Sequence, residues 1–170
     1  MLKSIVTDGD PVLRKKAVEV ASEEFGTEAL QTLVQDMSDT LRSTKYGVAI
    51  AAPQIGISKR IFVVRGNVLA NKDRSDTSDD DVAFINPTLI RRSKKQERFD
   101  EGCLSVPHKF GTVVRSEKAV VRAYTASGDE FEMSGEDLLA EIFQHEIDHL
   151  EGVLFIDSAQ DIYIHEPQAE

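Results

Sequence analysis

The 170-residue sequence contains one cysteine, Cys103. No intramolecular disulfide is possible, so the chain suits a reducing compartment, with the thiol either buried or functional. It lacks any long uninterrupted apolar stretch, which excludes a membrane-spanning helix. The opening residues, MLKSIVTDGDPVLRKKA, lack the apolar run of a secretory leader and are too acidic for an obvious transit peptide. A cytoplasmic location is the expectation, and a processed organellar form stays compatible with it. No internal repeat is present. Lys and Arg are missing altogether after Arg122, whereas thirteen Asp and Glu follow it, so the first 122 residues carry about +3 and the remainder about −13. General nucleic-acid affinity, which needs a basic surface, is not expected. Most of this acid reads as a solvated face, although such a region also tolerates a bound cation.

The length predicts one domain spanning residues 1–170, large enough to bury a hydrophobic core. Between Thr27 and Lys45, the apolar residues Leu30, Leu33, Val34, Met37 and Leu41 follow a helical stripe. GVAIAAPQIG follows, rich in small residues that allow close backbone approach. Arg60 to Val64 reads as a buried strand. Residues 66–81 are polar and punctuated, as in a surface loop. VAFINPTLI is a strand candidate that Asn86-Pro87 breaks or places at an edge. QERFDEGCLSVP reads as a second edge segment, and KAVVRAYTASGDEFEM as a hairpin around Ser127-Gly128-Asp129. Ser134 is the expected start of the last helix, with Asp137 in a capping-box relation to it, and Gly152 suits the position just past its end. In the polar tail at 158–170, Ile162 and Ile164 alternate enough for a short strand.

The stretch FQHEIDHLEG crowds two histidines and a glutamate onto about one and a half helical turns. Leu138, Ile142, His145 and His149 occupy i, i+4, i+7 and i+11, so both histidines continue the apolar stripe and point inward. Buried polar groups without partners cost roughly 1–3 kcal/mol each. Two core histidines donating to carbonyls would satisfy that demand, with Glu146 in an exposed ion pair. A shared metal ion satisfies both imidazoles at once, with Glu146 placed to reach its water. The inward register favours the metal. Such hydrolase sites use three protein ligands. The spacing leaves Cys103, Glu151 and His165 as candidates for the third, since no HExxHxxGxxH continuation follows.

These residues resemble the peptide deformylase family. GVAIAAPQIG, EGCLS and QHEIDHLEG are similar to its three motifs and stand in the family's order, and DPVLRKKA is similar to its usual opening. The resemblance covers roughly Ile5 to Asp157. It implies an α+β fold, with mixed or antiparallel sheets around a central C-terminal metal-binding helix and the 27–45 helix packed outside. It also implies hydrolysis of the formyl group from N-formylmethionyl peptides or nascent chains, releasing formate.

By the same resemblance, Cys103 joins His145 and His149 around one divalent ion, Fe²⁺ being the expected native metal and Zn²⁺, Ni²⁺ or Co²⁺ able to substitute. The ion activates a water at neutral pH, and thiolate with ferrous iron is oxygen-sensitive. Glu146 moves the proton, while the Gln54 side-chain amide and the Leu104 backbone N–H donate to the oxyanion. Gly47, Val48 and Ala49 are expected to pair with an extended peptide. Val48, Leu104, Leu138 and Ile142 are expected around its methionine side chain, and Gly102 allows a tight backbone beside the cysteine. Glu101 is expected to orient polar neighbours, and Asp148 to pair with Arg115. Two departures stand out: Ala49 occupies the place of the first motif's usual second glycine, and Phe110 stands near where an Arg is frequent. The residues after Asp157 carry no Lys or Arg, so ribosome docking through a basic C-terminal helix is not expected. The competing readings are a small HExxH metallopeptidase indifferent to Cys103 and a formyl-peptide-binding homologue with weakened turnover.

Overall fold

Two antiparallel sheets pack around one helix in the computed structural model, which describes residues 1–71 and 79–166. Strands β1 (Ala49–Ala51), β2 (Ile61–Val64), β3 (Val82–Arg92), β6 (Lys118–Tyr124) and β7 (Glu130–Glu136) form a five-stranded sheet in the order β1-β2-β3-β6-β7. Strands β4 (Gln96–Cys103), β5 (Val106–Ser116) and β8 (Gln160–Ile164) form a second sheet in the order β4-β5-β8. The helices are α1 (Glu28–Ser43), the short α2 (Gly66–Leu69) and α3 (Leu138–Leu150). This is the expected α+β class, antiparallel in both sheets.

Side chains of a strand alternate between its faces, and here both faces of the larger sheet are covered. Ala49, Ala51, Phe62, Val64 and Phe84 pack with Ile142 and Phe143 of α3. Their neighbours Ile50, Ile61, Val63 and Ile85 pack instead with Leu30, Met37 and Leu41 of α1. Double burial explains why β2 is an unbroken apolar run rather than an alternating one. The α1 stripe is the one the sequence predicts, and the Thr27 hydroxyl caps that helix by accepting from the Leu30 N–H at 3.3 Å.

An aromatic group anchors α3 to the sheet. Phe62 and Phe84 stack at 4.6 Å, and Phe143 meets Phe84 edge-on at 5.4 Å. Phe143 lies two residues before His145, so this contact fixes the height of the histidines above the sheet. At the far end of α3, Gly152 has φ +78° and lies so close to Arg14 that a Cβ would stand 2.5 Å from its carbonyl oxygen.

Three local expectations need correction. Ser134 does not open α3: it pairs with Val120 in β7, which runs on to pair Glu136 with Lys118. The turn into the helix is made by Asp137, at φ 51°, whose N–H donates to the Glu117 carbonyl and whose side chain caps nothing. Strand pairing outcompetes the local capping pattern there. Because α3 begins at Leu138, that side chain is 42% exposed instead of continuing the buried stripe. Asn86-Pro87 does not end β3 but bends it: Asn86 takes φ 48°, its side chain bonds both the N–H and C=O of Val20, and the register with β6 shifts. The expected loop at 66–81 starts as α2, and Asp81 ties its end back to the Gly66 N–H and Arg42. The remainder of that expectation, at 72–78, lies outside the described residues, as do residues 167–170 of the expected tail.

Phe84→Ala removes the ring shared by Phe62, Phe131 and Phe143. The expected loss is about 3–5 kcal/mol, read as a lower urea midpoint with an unchanged slope.

Candidate metal centre

The last residue of β4 and two turns of α3 bring three donor groups together. Ligand atoms of Cys103, His145 and His149 all lie within 4.8 Å of one another, and Cys103 Sγ is 3.3 Å from His149 Nε2. Of the three residues left open by spacing, Cys103 is the one beside the histidine pair. Glu151 instead pairs with Arg60 at 2.7 Å, and the His165 ring lies edge-on to Phe110.

The β4 register delivers the thiol. Glu101 and Gly102 pair with Gly111 and Phe110, and then the ladder shifts so that Cys103 pairs with Val106. Gly102 is required by close approach, because a Cβ there would stand 2.5 Å from the Phe110 ring. Phe110 stacks in turn on Tyr163 of β8 at 5.7 Å. The departure at Phe110 therefore has a structural use: its ring clamps β8 over the strand that carries the cysteine.

A buried ionic chain orients His145. Its Nδ1–H donates to Glu101 Oε1 at 2.8 Å, which leaves Nε2 for the thiol side. Arg115 donates two hydrogen bonds to Glu101 and a third, at 2.9 Å, to Asp148. Burial opposes charge on Glu101, but His145 and Arg115 outweigh it and hold its pKa below the ordinary carboxylate value. Burial likewise opposes charge on His145, yet Cys103 and Glu101 raise its pKa well above normal. His149, desolvated and next to that cation, is pushed well below normal. One imidazole thus favours its proton, between the sulfur and the carboxylate, while the other favours the neutral form. A cation at this place takes over the attraction that the proton supplies.

Gln54 closes one side. It is 2% exposed, its Oε1 accepts from the Ala51 N–H at 2.8 Å, and its Nε2 donates to Ser105 Oγ at 3.2 Å and Cys103 Sγ at 3.6 Å. The amide N–H₂ is thereby aimed at the cysteine side. Leu104, next in chain after the cysteine, is partly buried against the α1-side core. Glu146 is 4% exposed, and desolvation pushes its pKa up to about 7.

Two buried polar atoms here have no hydrogen-bond partner: Glu146 Oε2 and His149 Nδ1. Such atoms are costly unless something engages them. One sulfur and two imidazoles form a donor set that fits a tetrahedral divalent ion with one open position. The residues therefore can hold a metal ion.

Gly47 is buried, Val48 is partly buried against the α3-side core, and Ala49 starts β1, the edge strand of its sheet. Ile142 is buried in that same core. The anticipated pairing of Arg115 with Asp148 is present, as is the orienting contact of Glu101. Sequence reasoning missed Ser105, which receives the Gln54 amide, and Gln144, which bonds both the N–H and C=O of Ser116 to tie α3 to β5. A buried amide one residue before HExxH was the available signal for Gln144; Ser105 had none.

The family model for polypeptide deformylase matches residues 2–163. The peptide deformylase of Acidobacterium capsulatum is 47% identical over 92% of this chain and 85% of its own length. That of Thermomicrobium roseum is 41% identical over 94% of this chain and 87% of its own. Among solved structures, a peptide deformylase from Legionella pneumophila superposes with a TM-score of 0.82 at 40% identity, covering 95% of this chain and 88% of that one. A class I type b peptide deformylase from Acinetobacter baumannii, with Met-Ala-Ser bound, gives a TM-score of 0.81 at 33% identity over 92% of this chain and 99% of that one. With the cysteine–histidine set, these likenesses lead to one conclusion: the chain belongs to the polypeptide deformylase family.

Proposed function

We propose that the chain removes the formyl group from N-formylmethionyl ends of nascent polypeptides in the cytoplasm, using Cys103, His145 and His149 as ligands of one divalent ion. The observation that carries this assignment is the meeting of a lone thiol with the inward histidines of HExxH, beside an unpartnered carboxylate oxygen of Glu146. When bound, the ion supplies Lewis acidity and makes a water nucleophilic near neutral pH. Fe²⁺ is the ion we assign, as the family resemblance implies; the donors themselves suit Zn²⁺, Ni²⁺ and Co²⁺ equally.

Glu146 is the proton carrier. A carboxyl desolvated to a pKa of about 7 can both accept a proton from water and return it to the departing amine. The Gln54 side-chain N–H and the Leu104 backbone N–H donate to the oxygen of the formyl carbon as negative charge builds on it. Gln54 is held for this by Ala51 and Ser105, so little reorganisation is needed during reaction. The peptide extends along the open edge of the β1 segment from Gly47 through Ala49, in the manner of an added strand. Val48, Gly102, Leu104, Leu138 and Ile142 surround the methionine side chain. Leu138 contributes from its exposed position, as a surface the substrate covers. A metallopeptidase would have no use for a thiol at the histidine pair.

Formate release from formyl-Met-Ala-Ser by anaerobically prepared, iron-loaded protein tests the reading. Glu146→Ala is expected to keep its metal and lose at least about 100-fold in kcat. Retention of wild-type turnover would remove Glu146 from the chemistry. Cys103→Ser is expected to lower bound metal per chain or alter its spectrum, and unchanged stoichiometry and spectrum would remove the thiol from the ligand set.

Arg115→Ala leaves Glu101 buried without its cation. The expected cost is about 3–5 kcal/mol, with metal affinity reduced about 10- to 100-fold because His145 loses its support. Glu101 has a depressed pKa in the folded state, so its contribution is present above the ordinary value of 4.5 and fades as pH falls through the lowered one. Urea unfolding from pH 7 down to pH 3 should therefore show the gap between wild type and variant closing at the acid end.

A further inference from the structure

On the side of α3 that leads to the cysteine–histidine set, Leu138, Glu141 and His145 are partly open to solvent. They stand at i, i+3 and i+7, on one face of the helix. Glu141 is half-buried, yet among the described residues its carboxylate makes no hydrogen bond or ion pair. The charges around it are Glu101 and Asp100 on β4, His145 on its own helix and Arg115 on β5. Both cations are already engaged: Arg115 bonds Glu101 and Asp148, and His145 bonds Glu101. The nearby Asp100 accepts from the Tyr163 hydroxyl at 2.8 Å and adds charge of the same sign. Burial, then repulsion from Glu101, push the Glu141 pKa up to about 7, as expected where no protein cation is free to balance it.

One helical turn, about 6 Å along the axis, separates Glu141 from His145. On the reading above, Leu138 and Ile142 of the same helix surround the methionine side chain, and Glu141 stands between them in the chain, so the first residues of a bound peptide pass beside its carboxylate. We propose that Glu141 is a specificity-determining residue: its carboxylate gives the peptide channel a negative wall. Formylated chains with Lys or Arg next to the formylmethionine are favoured, and those with Asp or Glu there are disfavoured. The inference rests on the deformylase reading above and adds a charge preference to it. The exposed cations near the site in sequence have other contacts: Lys45 sits over the Tyr46 ring, Arg98 of β4 pairs with Asp161 at 3.7 Å, and Lys109 is on β5 opposite Ile164.

The test compares formyl-Met-Lys-Ser, formyl-Met-Ala-Ser and formyl-Met-Glu-Ser on the metal-loaded enzyme at pH 8 and low ionic strength. The expected kcat/KM ratio of the Lys to the Glu peptide is roughly tenfold, as for unit charges about 8 Å apart in a partly solvated cleft, and resides mainly in KM. Glu141→Gln should cut that ratio at least about threefold, and Glu141→Lys should invert it. In the unmodified enzyme the ratio should shrink as salt rises from about 0.01 M to 1 M, because screening shortens from about 30 Å to 3 Å. A ratio near one in the wild type, or one that survives both Glu141→Gln and high salt, overturns the proposal. No formate from any of the three peptides would instead overturn the deformylase reading beneath it.

Discussion

The buried carboxylate of Glu101 is the contact on which the rest depends. It receives His145 from α3 and Arg115 from β5 while sitting on β4 two residues before Cys103. An isolated charge at that depth would be prohibitively costly, and the pair offsets the cost only because the guanidinium engages both carboxylate oxygens. The result is positional. The strand bearing the sulfur and the helix bearing the imidazoles are locked to one ionic group, so the spacing of the three donors does not depend on loops. Asp148 extends the lock along α3 by taking the third hydrogen bond of Arg115.

Apolar packing sets the coarse position, and the ionic chain sets the fine one. The Phe62–Phe84–Phe143 group presses α3 against the larger sheet, and Gln144 ties it to the start of the β5–β6 turn through Ser116. On the opposite flank, Phe110 lies over Gly102 and under Tyr163, bracing the end of β4. Within the site, Glu146 Oε2 and His149 Nδ1 are buried without a hydrogen-bond partner. Both lie beside the sulfur and imidazole donors, where a bound ion and its water would engage them.

Much of this was legible in the residues, for identifiable reasons. The helical period alone turned His145 and His149 inward, because they continue the stripe of Ile142. The α1 stripe, the apolar β2 run, the β6–β7 hairpin and the glycine after α3 follow from patterns that tertiary packing does not override. The third donor of the proposed site was not legible from spacing: Cys103 lies 42 residues before His145 in the sequence, and only the EGCLS resemblance singled it out from Glu151 and His165. The start of α3 was misread because Ser134 and Asp137 mimic a cap, whereas pairing with β6 extends the strand past them. Leu138 lost its inward place as a consequence. Glu141 passed unnoticed because a charged residue on a helix ordinarily faces water, and its closeness to Asp100 and Glu101 arises only when β4 packs beside α3.

The central claim is a cation held jointly by one sulfur and two imidazoles. X-ray absorption on the zinc-loaded protein tests it most directly. The account predicts one sulfur neighbour at about 2.3 Å and two imidazole nitrogens at about 2.0–2.1 Å. A coordination sphere of oxygen and nitrogen with no sulfur would contradict it.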